Sequence, residues 1–463
     1  MGLRFATLDV QSFWHDEVFT VRLMHKSFFG MLAGIRRTES TPPLYYVLAW
    51  LWTRVFGSGE MGLRSLSAVF GVATVPAAFA AGRELVSRRA GIVAAALAAA
   101  SPYLVWYSQE GRSYALYALL ATLSVLLFAR ALHEPSGRRI AWWAAVSVLA
   151  IATHYFAGFL VLGEAVWLLA ATAPEWRAAL LRGCAAIGLV VAALAPLAIA
   201  QRNTGHTEWV EGSSLAGRLG STFKRFVTGE YGTPVDALAV IAWLLLAVGV
   251  WLLVRRANEG ERRGALIAGS LGATTIALPF LLALVGFDYF YDNYLIGAWV
   301  PLALVVAAGY AATRARVLGP IVATILVGLL VGFTISDSAD PSLRRDDFRQ
   351  AARILGPARF PRAIVSTRLG SQPLGLYLGD LRVFPVAGTV IQEIDVLDSH
   401  RFGQSRAPAH PPPPGFILVV HREAATFRLF RYLAPRPLFV GSQALAIESF
   451  GQPAFIYVER PRP

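Results

Sequence analysis

The stretch SFWHDEVFT, residues 12–20, places two adjacent carboxylates, Asp16 and Glu17, beside a histidine and among aromatic side chains. A carboxylate can act as a general base that takes the proton of an attacking hydroxyl group. Two later stretches, YSQEGR and THYF, add Glu110 with Arg112 and His154 with Tyr155. A cation or a hydrogen-bond donor can stabilise negative charge that develops on a leaving group. These residues therefore predict a site that combines proton removal with stabilisation of an anion.

The elements that must position these residues lie in a strongly apolar chain. Of its 463 residues 56% are hydrophobic and only 15% are charged, and the mean hydropathy is +0.52. Such values indicate a polytopic membrane protein. The net charge of +13 fits arginine-rich cytoplasmic loops and does not indicate a nucleic-acid partner. The single cysteine, Cys184, excludes an internal disulfide and a thiolate metal cluster.

Ten apolar runs are long enough to be candidate membrane spans. They cover residues 62–83, 90–107, 112–132, 140–154, 157–173, 180–200, 234–254, 264–286, 293–313 and 317–336. Arginine is concentrated in every second connecting loop, which predicts that those loops are cytoplasmic. The first sixty residues, the loops with YSQEGR, THYF and FDYFYDN, the 201–233 segment and everything after Ser336 are then predicted to face outward.

The start of the chain and its domain organisation follow from this orientation. An outward N-terminal segment without an export signal predicts a further transmembrane helix upstream, ending near Leu8, with Met1 an internal start; the alternative is a tail that crosses unaided. The predicted transmembrane domain is 1–337, in which 1–61 forms the first outer loop. Within that loop Pro42 and Pro43 precede an aromatic run typical of an interfacial helix.

Residues 338–463 are predicted to form an extracytoplasmic α/β domain. FRQAARIL and EAATFRLFRYL are interpreted as helices, and AIVST, LRVFPV, GFILVVH and FIYVE as strands. The proline run 408–414 predicts a stiff extended loop. The chain has no phosphate-binding glycine loop, no HExxH and no GxSxG, which removes the usual support for an ATP-driven enzyme or a zinc protease.

The ordered blocks FWHDE, STPPLYYVLAWLW, GLRSLSAVFG, YSQEGRSYAL and THYF resemble the GT-C glycosyltransferases. The resemblance is to the family 39-like group, which includes protein mannosyltransferases and lipid A aminoarabinose transferases, and it covers about residues 10–310. It implies a GT-C type bundle of about 10 to 11 transmembrane helices. It also implies transfer of a sugar from a polyprenyl phosphate carrier to an acceptor outside the membrane. The chain departs from the group at Thr41, where relatives often have Lys or His, and at Asn293, where an Arg often precedes the tyrosine.

The resemblance assigns Asp16 to the acidic position of the first outer loop and Glu110 to the second acidic position. The predicted catalytic residues are Asp16, as the base, with Glu17 and Glu110. Arg112, His154 and Tyr155 are predicted to bind the donor phosphate. Trp14, Tyr45, Tyr107 and Asp292 are predicted to line the substrate site. A lipid monophosphate leaving group does not require a metal, although Asp16, Glu17 and Glu110 together could hold a divalent ion.

Structural alternatives accompany each assignment. Asp16 and Glu17 would also suit a helix N-cap followed by a first-turn acid, Glu110 and Arg112 a local salt bridge, and His154 a hydrogen bond inside the bundle. A secondary transporter would also have many spans, but its polar groups would lie at mid-membrane and its sequence would show internal repeats. The preferred hypothesis is an inverting glycosyltransferase of a bacterial cell membrane. Its partners would be the lipid-linked sugar donor, a cell-envelope glycan, lipid or protein acceptor, and the bilayer.

Overall fold

The computed structural model describes residues 1–204, 213–230, 232, 235–379, 381–399, 412–445 and 455–460. The chain divides into two units. The first contains Met1–Leu8 and Leu23–Asp337, and the second contains Asp9–Arg22 and Ser338–Pro463. The short segment Asp9–Arg22, which carries Asp16, thus belongs with residues more than 300 positions further along the chain.

The first unit is helical. Its helices are α1 Gly2–Phe5, α3 Phe28–Thr38, α4 Leu44–Phe56, α5 Glu60–Leu85, α6 Arg88–Ala100, α7 Pro102–Ser108, α8 Tyr114–His133, α9 Gly137–Thr153, α10 Ala157–Ala171, α11 Pro174–Arg202, α12 Leu215–Thr228, α13 Asp236–Arg256, α14 Glu259–Leu284, α15 Trp299–Tyr310 and α16 Leu318–Ala339, with a 3-10 segment at Asp292–Ala298. The last two residues of α16 fall in the second unit. Helix α2, His15–Met24, begins in the second unit.

Among the described residues seven helices are long and apolar enough to cross a membrane, and eight if α6 and α7 form one bent span. Helices α6 and α7 are bent by 59°, because Pro102 starts a new helix that the Ser101 side chain caps. Each of the ten predicted apolar runs overlaps a helix, but α9 has 17 residues and α10 only 15. The predicted helical membrane fold is confirmed, and the protein is a multi-pass membrane protein, whereas the count of about 10 to 11 transmembrane helices stays a prediction.

The second unit adds a mixed six-stranded sheet to α2. Its elements after α16 are α17 Phe348–Leu355, β1 Arg362–Ser366, α18 Arg368–Leu378, β2 Arg382–Val383, β3 Thr389–Ser399, β4 Ile417–Glu423, β5 Phe427–Val440 and β6 Phe455–Glu459. The strand order is β2-β6-β1-β3-β5-β4, and β1 pairs with β3 in parallel while the other pairs are antiparallel.

Apolar side chains cover both faces of this sheet. Successive residues of β1 alternate between two cores: Ala363 and Val365 lie in one, and Ile364 lies in the other. The core on the Ile364 face also contains Phe348 of α17 and Leu374 of α18. Both helices therefore pack on that face.

The prediction that EAATFRLFRYL forms a helix is wrong, because Phe427–Val440 is the strand β5. This strand lies between β3 and β4 and is hydrogen-bonded to both. Apolar residues on both of its faces are buried, which removes the simple alternation of a half-buried strand. Two of its arginines, Arg428 and Arg431, pair with Asp398 and Asp395 of β3.

Most of the other helices and strands predicted for residues 338–463 are present in the structure. Helix α17 and strands β1, β4 and β6 are confirmed, whereas LRVFPV contributes only the two residues of β2. Strand β3 and helix α18 were not anticipated. Most of the proline run, residues 408–411, lies outside the described residues.

Candidate functional site

A buried polar cluster in the first unit is built around Glu39 and Arg112. Glu39 Oε2 accepts hydrogen bonds from Arg112 Nη1 at 2.5 Å and from the Tyr46 hydroxyl at 2.6 Å. Thr41 Oγ1 lies 3.1 Å from the Tyr46 hydroxyl. Burial raises the pKa of Tyr46 well above its usual value, so that the hydroxyl stays protonated and donates to Glu39. The guanidinium of Arg112 is thus held by a buried carboxylate.

Helix packing fixes the loops that carry this cluster. Glu39 follows the C-terminus of α3, and Arg112 lies in the loop between α7 and α8. Gln201 of α11 donates to the carbonyls of Ile35 and Thr41 and accepts from the Tyr155 hydroxyl at 2.8 Å. Tyr155 therefore supports the α3–α4 connection through Gln201.

His154 follows α9 in its connection to α10, outside the helices that are long and apolar enough to cross a membrane, and is surrounded by aromatic rings. Its ring stacks on Tyr117 at a centroid distance of 4.8 Å and an interplanar angle of 6°, and Tyr294 lies 5.3 Å away. Burial lowers the pKa of His154 well below its usual range, and the charge of Arg112 lowers it further. The ring is therefore neutral.

The hydrogen bonds of His154 identify its tautomer. The Phe156 N–H donates to Nδ1 at 3.3 Å, which leaves the ring proton on Nε2. Among the described residues the buried Nε2 has no hydrogen-bond partner. His154 thus presents an N–H donor, in electrostatic range of Arg112, that an incoming oxygen could satisfy.

A second charged cluster surrounds Arg225 of α12. Its Nη1 contacts Asp292 Oδ1 at 2.7 Å and Glu230 Oε1 at 3.2 Å, and the Tyr107 hydroxyl donates to Glu230 Oε2 at 2.9 Å. Gly229, with φ of +85°, ends α12 just before Glu230, where a Cβ would lie 2.6 Å from Asp337 Oδ2. Two carboxylates bracket this one cation.

An apolar cleft of about 300 Å³ lies between α10 and the end of α14. Its lining residues are Phe156, Phe159, Pro279, Leu282, Phe287 and Tyr289. Phe156 also contacts the rings of His154 and Tyr294, at 5.7 Å and 5.3 Å. The cleft therefore adjoins the aromatic cluster that contains the Nε2 donor.

Asp16 and Glu17 belong to the second unit, in the first turn of α2. Glu17 is fully buried, and its Oε2 accepts from the Trp14 N–H at 3.4 Å, which is the reciprocal half of a capping box. Asp16 is only partly buried. Glu17 thus has a structural role at the start of α2, whereas Asp16 keeps access to solvent.

The remaining predicted residues also have defined places. Tyr45 is fully buried with its hydroxyl 3.1 Å from Ser67 Oγ, Glu110 is buried, and Arg345 lies 4.3 Å over the Trp14 ring. Their roles, like those of the other predicted site residues, stay predictions.

Among the described residues no group of three or more His, Cys, Asp or Glu side chains could hold a metal ion.

Sequence reasoning missed Glu39, Arg225 and Glu230. Glu39 stands two positions before Thr41, immediately before the block STPPLYYVLAWLW that was already singled out. Arg225 lies on an amphipathic helix of the segment predicted to face outward. Their proximity to the predicted residues depends on long-range packing, which the spacing does not contain.

Comparisons with known proteins show a similar overall fold. Residues 40–199 match the family model described as dolichyl-phosphate-mannose-protein mannosyltransferase. The crystal structure of ArnT from Cupriavidus metallidurans in the apo state is 13% identical, with a TM-score of 0.55 over 93% of this chain and 95% of that one. The same protein bound to undecaprenyl phosphate gives 13% identity and a TM-score of 0.57 over 93% and 96%. No curated protein matches the chain. The predicted resemblance to the GT-C glycosyltransferases is confirmed.

Proposed function

We propose that the protein transfers a sugar from a polyprenyl phosphate carrier to a cell-envelope acceptor at the outer face of a bacterial membrane. The observation that carries this proposal is that the apolar cleft and the polar His154 meet at Phe156. This residue lines the cleft, and its ring contacts the ring of His154. A lipid-linked sugar phosphate needs an apolar groove for its chain directly beside polar groups for its head. The cleft and the His154 cluster supply both.

The comparisons support the same class of substrate. The family model names a dolichyl-phosphate-mannose enzyme, and the similar ArnT structure contains undecaprenyl phosphate. Both compounds are polyprenyl phosphates or derivatives of them. That this chain also uses a polyprenyl phosphate sugar as its donor is part of the proposal.

The proposed reaction is a single displacement with inversion at the anomeric carbon. The acceptor oxygen attacks this carbon, the bond between the carbon and the phosphate oxygen breaks, and the acceptor proton passes to the Asp16 carboxylate. The products are the glycosylated acceptor and the free polyprenyl phosphate. Asp16 suits the base role because it keeps solvent access, whereas Glu17 is buried as a helix cap.

Arg112 and His154 are the proposed groups at the donor phosphate. Glu39 orients the Arg112 guanidinium, and the neutral His154 offers its Nε2–H. Arg225 is less suited to bind an anion, because the carboxylates of Asp292 and Glu230 both pair with its guanidinium and neutralise its positive charge. These groups stabilise the leaving phosphate without a metal, so chelators should leave transfer intact.

The proposed orientation follows from the arginine-rich loops. A reporter fused after Ser87 or Glu259 should be cytoplasmic, and one fused after Pro463 should be extracytoplasmic. A cytoplasmic C-terminus would contradict an outward-facing site.

The decisive experiment incubates the purified full chain, in liposomes, with a panel of polyprenyl phosphate sugars and cell-envelope acceptors. We expect one donor to yield stoichiometric amounts of free polyprenyl phosphate and glycosylated acceptor. Movement of a solute across the liposome membrane without glycosyl transfer would instead identify a transporter.

A further inference from the structure

The segment that carries Asp16 is fastened to the C-terminal part of the chain by a set of hydrogen bonds within the second unit. Ser12 Oγ donates to the Asp346 carbonyl at 3.2 Å and accepts from the Phe348 N–H at 3.1 Å. The Phe13 N–H donates to the Tyr377 hydroxyl at 2.7 Å. These bonds hold the backbone immediately before α2.

Three arginines complete the attachment. Arg349 donates to the carbonyls of Asp9 and Val10 at 2.6 Å and 3.2 Å. The Arg345 guanidinium covers the Trp14 ring at 4.3 Å, and Arg22 donates to the Gln372 side chain. The contacts therefore reach both the start of segment 9–22 and its last residue.

Burial gives these contacts energetic weight. Ser12 and Phe13 are 1% and 3% exposed, so a lost partner leaves a buried polar group unsatisfied. The partners come from α17, α18 and the residues just before α17. Those helices pack on one core of the sheet, which gives segment 9–22 a rigid support.

We infer that the C-terminal α/β part of the chain, Ser338–Pro463, positions the proposed catalytic base, with Tyr377 and Ser12 as positioning residues. This inference rests on the proposed function. A general base must stay within hydrogen-bond reach of the proton it removes, and a displacement of about 1 Å can cost about 100-fold in rate. Loosening segment 9–22 should therefore slow transfer without weakening donor binding.

The first test is Tyr377→Phe, which removes the hydroxyl that accepts from the Phe13 N–H and keeps the ring. Hydrogen exchange of a peptide covering residues 9–22 should become about 10-fold faster as this backbone opens. Tyr432→Phe is the matched control, because Tyr432 lies in the core on the other face of the sheet. Unchanged exchange in Tyr377→Phe would overturn the inference. If Tyr377→Phe fails to fold, Ser12→Ala replaces it, because it removes two bonds of the same attachment.

The second test measures transfer by the same variants. We expect kcat to fall by about 10-fold to 100-fold in Tyr377→Phe, with KM for the polyprenyl phosphate sugar unchanged. A general loss of folded protein would also lower kcat, so the variant is repeated in an Asp16→Asn background. There Tyr377→Phe should have no further effect, because it acts through the base that is already absent.

The outcomes separate this inference from the proposed function. Absence of transfer by the native chain with every donor would overturn the proposed function, whatever the exchange data show. Native transfer with an unchanged kcat in Tyr377→Phe, or an equal loss in both backgrounds, would overturn the positioning role alone.

Discussion

The buried cluster around Glu39 in the first unit and the acidic turn around Asp16 in the second unit use carboxylates in opposite ways. Glu39 is 1% exposed and is bonded to Arg112 and Tyr46, whereas Asp16 is only partly buried. A buried carboxylate with strong partners orients its neighbours. A carboxylate that keeps solvent access can accept and release a proton during turnover. The comparison distinguishes a carboxylate that orients its buried neighbours from the carboxylate proposed to react.

The largest expected effect comes from the reacting carboxylate. Asp16→Asn keeps the size and much of the hydrogen bonding of the side chain but removes the base, so transfer should fall by about 100-fold to 10,000-fold. Initial rates of polyprenyl phosphate release measure this effect. Glu175→Gln, at an exposed first-turn position of α11, should retain normal rates. Near-normal transfer by Asp16→Asn would show that Asp16 is not the base, and Glu17 and Glu110 would then be tested in that role.

Glu39→Gln tests the orienting carboxylate. Neutralising Glu39 removes the charged partner of a buried guanidinium, which should lower the free energy of unfolding by about 3–5 kcal/mol. Thermal denaturation in detergent compares this variant with Glu134→Gln. Glu134 pairs with Arg139 at side-chain exposures of 74% and 35%, and breaking such an exposed pair should cost at most about 1 kcal/mol. Equal destabilisation of the two variants would show that the buried, paired Glu39 contributes no more to stability than the exposed Glu134.

Leu282→Trp tests whether the apolar cleft holds the lipid chain of the donor. The larger side chain should fill part of the cleft and raise KM by about 10-fold for a long-chain donor. A donor with a very short chain should be used equally well by the variant and the native chain. Leu281→Trp is the matched control, since Leu281 is the exposed neighbour and does not line the cleft. An identical KM for both chain lengths would place the lipid elsewhere.

The smallest expected effect is the contribution of His154 to the pH dependence of stability. Its pKa in the folded protein lies below the value of about 6.5 for an unfolded histidine. The unfolded chain therefore binds more protons, and stability falls as the pH drops below about 6.5. Denaturation midpoints between pH 5 and pH 8 should show a shallower acid-side loss in His154→Phe than in the native chain. An unchanged slope would show that the ring is not held neutral by its surroundings.

Part of the fold and of the site could be predicted from local patterns. The apolar runs identified helices α5, α8, α13 and α14 because the bilayer imposes a minimum length and excludes charges. The 3.6-residue period of FRQAARIL identified α17. Asp16 and His154 were selected because ionisable residues among aromatics are costly near a bilayer. Their partners were not predicted.

What the sequence determined by itself is therefore local: which segments are apolar, which are amphipathic, and which residue types are available for chemistry. Tertiary structure alone decided that Phe427–Val440 is a strand, because pairing with β3 and β4 outweighs its local helical pattern. It also decided that Arg112 meets Glu39, 73 positions away, and that Phe13 meets Tyr377, 364 positions away. Hydropathy and periodicity act over one or two turns of chain, whereas these contacts form only when distant segments are packed against each other and their buried polar groups must find partners.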